Sequence, residues 1–455
     1  MRIQDLKKKK VLILGFGREG KDTLLFLRKK FPKKVIGIVD QNPNAFESTK
    51  NKVRLHLGKN YLKALKGYDV IVKAPGIPPF KIAPFLKKHH TVTSQTEIFF
   101  DNCPGTIIGI TGTKGKSTTS SLIHEVLKEG GFSSHLIGNI KKPVLSFLER
   151  AKPKDIFVYE LSSFQLTSMK KSPHIAVFLN LYPEHLDYYR GNFIAYANAK
   201  ANITRHQTQT DFLIYNANDA LVSKIAKRSK AQKIPFGLPK SNVGIIASLD
   251  PAILIGKLFG IPQKKIRQTI KQFKPLPHRL ERVGEWKGIT FYNDSLATIP
   301  EATVSALDAL APRVHTLIAG GYDRGLTFRK LGKKIGESSV KTLILFPVTG
   351  EKILSSIQKP PQCFFVDTME EAIRLSYSHT PKGKICLLSP AASSFNMFKD
   401  YKDRGEQFTK LAKKYGSRTK SYNHAYTHIA NVVLQKKGLK IYQCSKDFVR
   451  DGEKT

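Results

Sequence analysis

The sequence predicts a doubly wound α/β protein laid out as three successive domains, and three observations predict it. Short apolar runs of strand length alternate with amphipathic stretches along most of the chain, the pattern of helices laid over a parallel sheet. Two of those runs end in glycine-rich loops, the place where such sheets take up ligands. At 455 residues with 41% hydrophobic content, the chain also carries more apolar material than one core usually supports.

The first element is a βαβ unit: a strand over Val11 to Leu14, the loop Gly15-Phe16-Gly17-Arg18-Glu19-Gly20, an amphipathic stretch to Lys30, and a strand over Val35 to Val39. A further strand, Val70 to Val72, ends at the turn Ala74-Pro75-Gly76. The pattern breaks around Asp101 to Gly105, which closes a first domain over 1–103. It restarts with a buried-strand run, Thr106 to Thr111, that passes directly into Gly112-Thr113-Lys114-Gly115-Lys116-Ser117-Thr118. Strands over Ile156 to Glu160, Ile175 to Asn180 and Phe212 to Asn216 continue a second domain over 104–278, which ends in the proline cluster Lys274-Pro275-Leu276-Pro277-His278. New strands at Thr290 to Tyr292, Thr316 to Ala319, Thr342 to Phe346 and Ile385 to Leu388 make a third domain over 279–415. Residues 416–455 read as a basic tail with one short helix, Ala425 to Leu434, and no internal repeat is present.

Against 35 acidic residues stand 76 Lys and Arg, a formal charge of +41, which favours anionic partners: nucleic acid, anionic lipid or anionic small ligands. The lysines are spread along the chain without the aromatic interleaving of a strand-binding groove, so a solvated basic surface is expected rather than a nucleic-acid site. Cys103, Cys363, Cys386 and Cys444 form no CxxC pair, which fits a reducing cytoplasm. The apolar start is cut short by Arg18, Glu19, Lys21 and Asp22, and no later run approaches the ~18 apolar residues of a spanning helix. A soluble cytoplasmic protein is therefore expected.

A strand followed by Gly-Lys-Ser at a helix start makes a phosphate cradle, because successive backbone amides and the helix dipole point at the anion. Lys116 supplies a point charge for the terminal phosphates of ATP, and Ser117 or Thr118 a hydroxyl for Mg²⁺. The spacing departs from the usual GxxxxGK, with Ile110 where its first glycine belongs. Gly15, Gly17 and Gly20 admit a rival, a nicotinamide fold with Asp40 as the ribose-binding acid. A P-loop ATPase acting on nucleic acid would account for Lys116 and the charge together.

Gly109-Ile110-Thr111-Gly112-Thr113-Lys114-Gly115-Lys116-Ser117-Thr118 resembles the ATP loop of the Mur ligases, and later segments resemble that family in the same order. Tyr159-Glu160-Leu161-Ser162-Ser163-Phe164-Gln165-Leu166 is similar to its second motif, where Glu160 would meet Mg²⁺. Asn180-Leu181-Tyr182-Pro183-Glu184-His185-Leu186-Asp187 resembles the next, whose histidine, here His185, reaches a second metal ion. Tyr196 to Ile203 resembles the segment whose lysine, here Lys200, is carbamylated to bridge the metals; that chemistry needs a deprotonated amine, hence burial beside cations. His278-Arg279-Leu280-Glu281 and Asn293-Asp294-Ser295 resemble the hinge and the edge of the last domain, so Arg279 would reach ATP phosphates and Asp294 the nucleotide. The resemblance runs from about residue 9 to 415. It implies a Rossmann-like N-terminal domain, a central P-loop ATPase domain and a Rossmann-like C-terminal domain, with Lys116, Glu160, His185 and Lys200 as the catalytic set.

Within the family the outer domains distinguish the substrate. The first loop, the Ala-Pro-Gly-Ile turn and Ser94-Gln95-Thr96-Glu97 resemble the branch that adds glutamate to UDP-N-acetylmuramoyl-L-alanine. The resemblance puts Gly15, Phe16, Gly17, Asp40, Gln41, Pro75, Gly76 and Asn139 at the UDP substrate. Gly320 to Gly325 and Ser389 to Phe398 resemble the glutamate end, with Thr298, Arg324, Ser394, Phe395 and Tyr401 as its contacts. The implied activity is ATP-dependent ligation of D-glutamate through an acyl phosphate, a cytoplasmic step of peptidoglycan synthesis, by a monomer. Two departures stand out. The family's Asn-Asp-Ser-Lys-Ala-Thr-Asn is Asn293-Asp294-Ser295-Leu296-Ala297-Thr298-Ile299 here, as in a branch that adds L-glutamate, and no His-Asn-x-x-Asn segment for adenine precedes Ala252 to Ile261. Folylpolyglutamate-type and cyanophycin ligases are further alternatives, though they would not begin with this first domain.

Overall fold

The computed structural model describes residues 1–46, 52–139, 144–237, 246–273 and 276–417. The helix expected over Ala425 to Leu434, Pro275 and Cys444 lie outside the described residues. The described chain packs as two compact units, one reaching Phe273 and the other taking up the chain beyond it. The division falls close to the boundary expected at 278. The first two expected domains pack as one unit, because a single apolar core containing Phe26, Phe99, Phe157 and Tyr159 joins them.

Within the first unit, one sheet runs in the order Val53–Leu57, Ile36–Asp40, Val11–Leu14, Val70–Lys73, Thr91–Thr93, every neighbour parallel. The chain leaves Val11–Leu14 to one side first and to the other later, so the crevice beyond the carboxyl ends of Val11–Leu14 and Val70–Lys73 is the switch point. Gly15 and the Ala74-Pro75-Gly76 turn stand there. The second sheet, also parallel, runs Gln232–Phe236, Phe212–Asn216, Ile175–Phe178, Thr106–Thr111, Ile156–Glu160, Ser134–Gly138. Its centre, Thr106–Thr111, is apolar and buried along nearly its whole length, as a strand covered on both faces must be.

The second unit has a sheet in the order Glu281–Trp286, Ile289–Asn293, Ile385–Leu388, Val314–Gly320, Thr342–Phe346, Gln362–Phe365, parallel except for its first pair. Separate apolar clusters around Leu317 and Leu331 and around Phe291 and Phe408 cover its two faces. All the strands expected from sequence are found, in the interior of these sheets. Those the sequence did not betray are the two edges of each sheet. Among the described residues, no helix is long and apolar enough to cross a membrane.

Candidate active site

Thr106–Thr111 delivers the glycine-rich loop to the middle of the second sheet, and Gly115 turns it into the Lys116–Glu129 helix at φ 82°, the left-handed region glycine tolerates. Gly112 is small of necessity, since a Cβ there would meet Leu179 Cβ at 2.9 Å. The Lys116 ammonium folds back over the loop and donates to the carbonyls of Gly112 (2.9 Å) and Thr113 (3.0 Å). Ser117 is buried in the first helical turn.

Lys200, on the Phe193–Arg205 helix, is 2% exposed and donates to the same Gly112 carbonyl at 2.7 Å. Burial, and then the positive charge of Lys116, hold its amine well below the ordinary lysine value, Glu184 and Glu160 opposing. The environment favours the neutral amine, the condition carbamylation requires.

Around this pair the loop is tied down by polar contacts. Asn180 accepts from the Lys114 amide (2.8 Å) and donates to the Lys114 carbonyl (3.1 Å). The hydroxyls of Thr113 and Tyr196 share a 2.9 Å hydrogen bond. Lys114 Nζ pairs with Glu184 Oε1 at 3.1 Å. Burial alone would raise the Glu184 carboxyl, but Lys114, His185 and Lys116 outweigh it and bring it down to about 2.

Glu160 ends the strand Ile156–Glu160 at 1% exposure. Its Oε1 accepts from Asn139 Nδ2 at 3.0 Å, while Oε2 is buried with no hydrogen-bond partner. A buried carboxylate oxygen without a donor is costly, and a hard cation is what would satisfy it. Asn139, expected at the UDP substrate, is thus also a donor to Glu160. His185 stands at φ 56°, with its ring 4.7 Å from that of Phe164 and its Nε2 3.8 Å from Glu184 Oε2. Among the described residues no three His, Cys, Asp or Glu side chains gather as a metal cluster. Mg²⁺ does not demand one, since it takes few carboxylates and keeps several waters.

At the first sheet's switch point Gly15 has φ 91°, and Gly20 passes so close that a Cβ would lie 2.2 Å from the Gly15 carbonyl oxygen. Asp40 accepts from the amides of Phe16 (2.6 Å) and Asn42 (2.8 Å), so both its oxygens hold backbone. The neighbouring Gln41 is exposed. Lys73 donates to the carbonyls of Ala74 (3.0 Å) and Ile77 (2.8 Å), and Tyr188 donates to those of Pro75 (2.9 Å) and Ile77 (3.2 Å). Gly76 at the tip faces open space.

In the second unit, Asp294 Oδ1 accepts from the Leu280 amide at 3.1 Å and Oδ2 from Ser389 Oγ at 2.9 Å, which fixes it beside Arg279. Arg404 is fully buried and donates to Ser295 Oγ, Ser295 O and Ala392 O at 3.0, 2.8 and 3.1 Å. Burial brings its pKa down to about 9, with Asp294 opposing. Ser295 Oγ donates in turn to Tyr401 O at 2.8 Å. These bonds draw the Asn293-Asp294-Ser295 segment, Ala392 and Tyr401 together. Ser394 is buried two residues along from Ala392, Thr298 is half-buried, and Arg324 and Phe395 are exposed.

Sequence reasoning gave no role to Lys73, Tyr188 or Arg404. Arg404 had left a trace: it sits on the stripe of Phe408 and Ala412, where an arginine must be buried. Lys73 had none, since one lysine in a chain so rich in them stands out only once its burial is known.

Two families match the chain: the one described as "Mur ligase middle domain" over residues 110–252, and "Mur ligase, glutamate ligase domain" over residues 278–392. A UDP-N-acetylmuramoylalanine:D-glutamate ligase of Acetivibrio thermocellus is 32% identical over 459 residues, covering 89% of this chain and 96% of its own. The enzyme so named from Geobacillus kaustophilus is 35% identical over 437 residues, with 88% and 96% covered. Among solved structures, a MurF ligase of Thermotoga maritima in complex with ADP superposes with a TM-score of 0.58 at 15% identity, covering 91% of this chain and 97% of its own. A pseudomurein peptide ligase type C of Methanothermus fervidus does so at 0.56 and 18%, covering 90% and 100%. At those identities the structures speak for the fold, and the sequence relatives for the branch. The chain belongs to the Mur ligase family, in the branch of the UDP-N-acetylmuramoylalanine:D-glutamate ligases.

Proposed function

We propose that this chain joins D-glutamate to UDP-N-acetylmuramoyl-L-alanine at the expense of ATP, as the names of its sequence relatives indicate. The observation that carries the reading is the meeting of Lys116 and Lys200 on the Gly112 carbonyl, with Glu160 near enough to act on Lys200. The three sheets are the three expected domains on this reading: Rossmann-like for the acceptor, P-loop for ATP, Rossmann-like for glutamate. The enzyme is proposed to work as a cytoplasmic monomer.

Joining a carboxylate to an amine in water needs an activated acyl group. The acceptor's terminal carboxylate attacks the γ-phosphorus of ATP; the bond to the bridging oxygen breaks and ADP leaves, giving an acyl phosphate. Lys116 and Arg279 offset charge on the transferring group, and the loop amides cradle the phosphates. The amine of glutamate, held through Arg324, Ser394 and Thr298, then attacks the acyl carbon, loses a proton and expels phosphate. Glu160, Ser117, His185 and Lys200, once carbamylated, are the donors that would hold Mg²⁺, which supplies charge neutralisation at the phosphates. The buried, partnerless Glu160 Oε2 supports that assignment.

The test incubates the protein with ATP, the UDP-muramoyl-alanine acceptor and either D- or L-glutamate, and reads phosphate release and product mass. Product with D-glutamate is expected. Product with L-glutamate only would reassign the amino acid, a reading that Leu296 in the lysine position favours. Phosphate release driven by polynucleotide instead would overturn the proposal.

A further inference from the structure

The loop Ala74–Ile77 is held from two directions. Lys73, beneath it in its own sheet, takes the Ala74 and Ile77 carbonyls. Tyr188 reaches the Pro75 and Ile77 carbonyls from the segment that follows His185, with the ring 7% exposed. From that ring an unbroken series of contacts leads back to the phosphate loop. Tyr188 and Tyr189 lie 4.9 Å apart between ring centres, Tyr189 and Tyr196 5.5 Å, and the Tyr196 hydroxyl bonds Thr113 at 2.9 Å. Phe164 packs on Tyr188 at 4.3 Å and on His185 at 4.7 Å.

We infer that Tyr188 is a positioning residue that sets the height of the acceptor loop relative to the phosphate loop, and so the approach of the acceptor's carboxylate to the γ-phosphate. The inference rests on the proposed function for the identity of the acceptor. Its physical basis is that rings in a close-packed interior transmit position with little give, whereas the Pro75 carbonyl, which Lys73 does not hold, would without Tyr188 be free to turn to water. Phe164, touching both Tyr188 and His185, makes the histidine's place depend on the same packing.

The experiment uses Tyr188→Phe, which keeps the ring and removes one hydroxyl. One lost hydrogen bond predicts a rise of roughly threefold to tenfold in KM for the UDP-muramoyl-alanine acceptor, a fall in kcat, and KM for ATP unchanged within twofold. In the substrate-free protein, amide exchange of Ala74, Gly76 and Ile77 should quicken while that of 112–118 holds. Equal shifts in acceptor and ATP KM, or exchange at Ala74, Gly76 and Ile77 matching the parent protein, would overturn the role of Tyr188. Should the parent protein make no product from this acceptor, the functional reading fails while the exchange comparison still decides the inference. If Tyr188→Phe proves unstable, Phe164→Leu, which loosens the packing on the Tyr188 ring, is expected to raise the acceptor KM with KM for ATP unchanged; an unchanged acceptor KM in a folded Phe164→Leu protein would likewise overturn it.

Discussion

Replacing Lys73 by methionine isolates the energetic consequence of burying an amine beneath the acceptor loop. Lys73 is 4% exposed, and burial pushes its pKa down to about 8, with Glu19 and then Glu97 pulling it back up. The unfolded chain holds the same proton with a pKa of ~10.4. Between about pH 8 and 10.4 the unfolded state therefore binds more protons, and stability rises with pH; below about pH 8 the full penalty of the buried charge is present. A gap of roughly 2.5 pKa units amounts to about 3 kcal/mol, of which about 2 kcal/mol is recovered between pH 7 and 9.5. Lys73→Met lacks this recovery. Burial holds the Glu19 carboxyl above its usual range, and loss of the nearby ammonium raises it further. Urea denaturation of both proteins at pH 7 and 9.5 measures the difference. Parental stability should gain on that of the variant by about 2 kcal/mol. The level at pH 7 is less diagnostic, because the variant also loses the bonds to Ala74 and Ile77. Parallel pH dependences would refute the reasoning.

Three further outcomes are expected. Asn139→Ala, which strips the donor from Glu160 Oε1, should raise the Mg²⁺ concentration for half-maximal activity by about 10- to 100-fold; an unchanged Mg²⁺ requirement counts against Glu160 as a ligand. Lys200→Met should lower product formation at least about 100-fold, and parental protein in ¹³C-bicarbonate should show a carbamate carbon signal that the variant lacks; the same signal in both would move the modification elsewhere. Asn293→Leu removes a fully buried amide that bonds His278, Gly405, Thr409 and the Ser295 amide. It should cost about 2–5 kcal/mol in urea denaturation, since the buried Ser295 amide is left without its acceptor and the other bonds of the carboxamide are lost; a loss under about 1 kcal/mol would mean that water replaces them.

How much of this was legible in the sequence follows from how strands are buried. Thr106–Thr111, Ile156–Glu160, Thr342–Phe346 and Ile385–Leu388 are covered on both faces and spell themselves as unbroken apolar runs. Val53–Leu57, carrying Arg54 and His56, and Gln232–Phe236, carrying Lys233 and Pro235, are half-exposed edges whose polar residues dilute the pattern. At the site, phosphate chemistry was legible because glycine, lysine and serine must be contiguous there. The pairings of Lys114 with Glu184 and of Asn139 with Glu160 join residues far apart in the chain, and only the parallel order of the second sheet brings them together. Spacing singles out Asp40 but does not show that the amides of Phe16 and Asn42 bond its carboxylate.

The carbonyl of Gly112 receives both Lys116 and Lys200. An oxygen has two lone pairs, and in the resting protein both are engaged. A phosphate that draws Lys116 outward leaves Lys200 as the only amine on that oxygen. Nucleotide affinity is therefore an exchange, measured by what the phosphates offer Lys116 beyond what its own loop already gives. The nucleotide's arrival would also be felt at Lys200, since departure of the Lys116 ammonium removes the cation that most opposes a charge on that amine. One backbone atom thus lets the filling of the phosphate site alter the chemistry of a lysine on another helix.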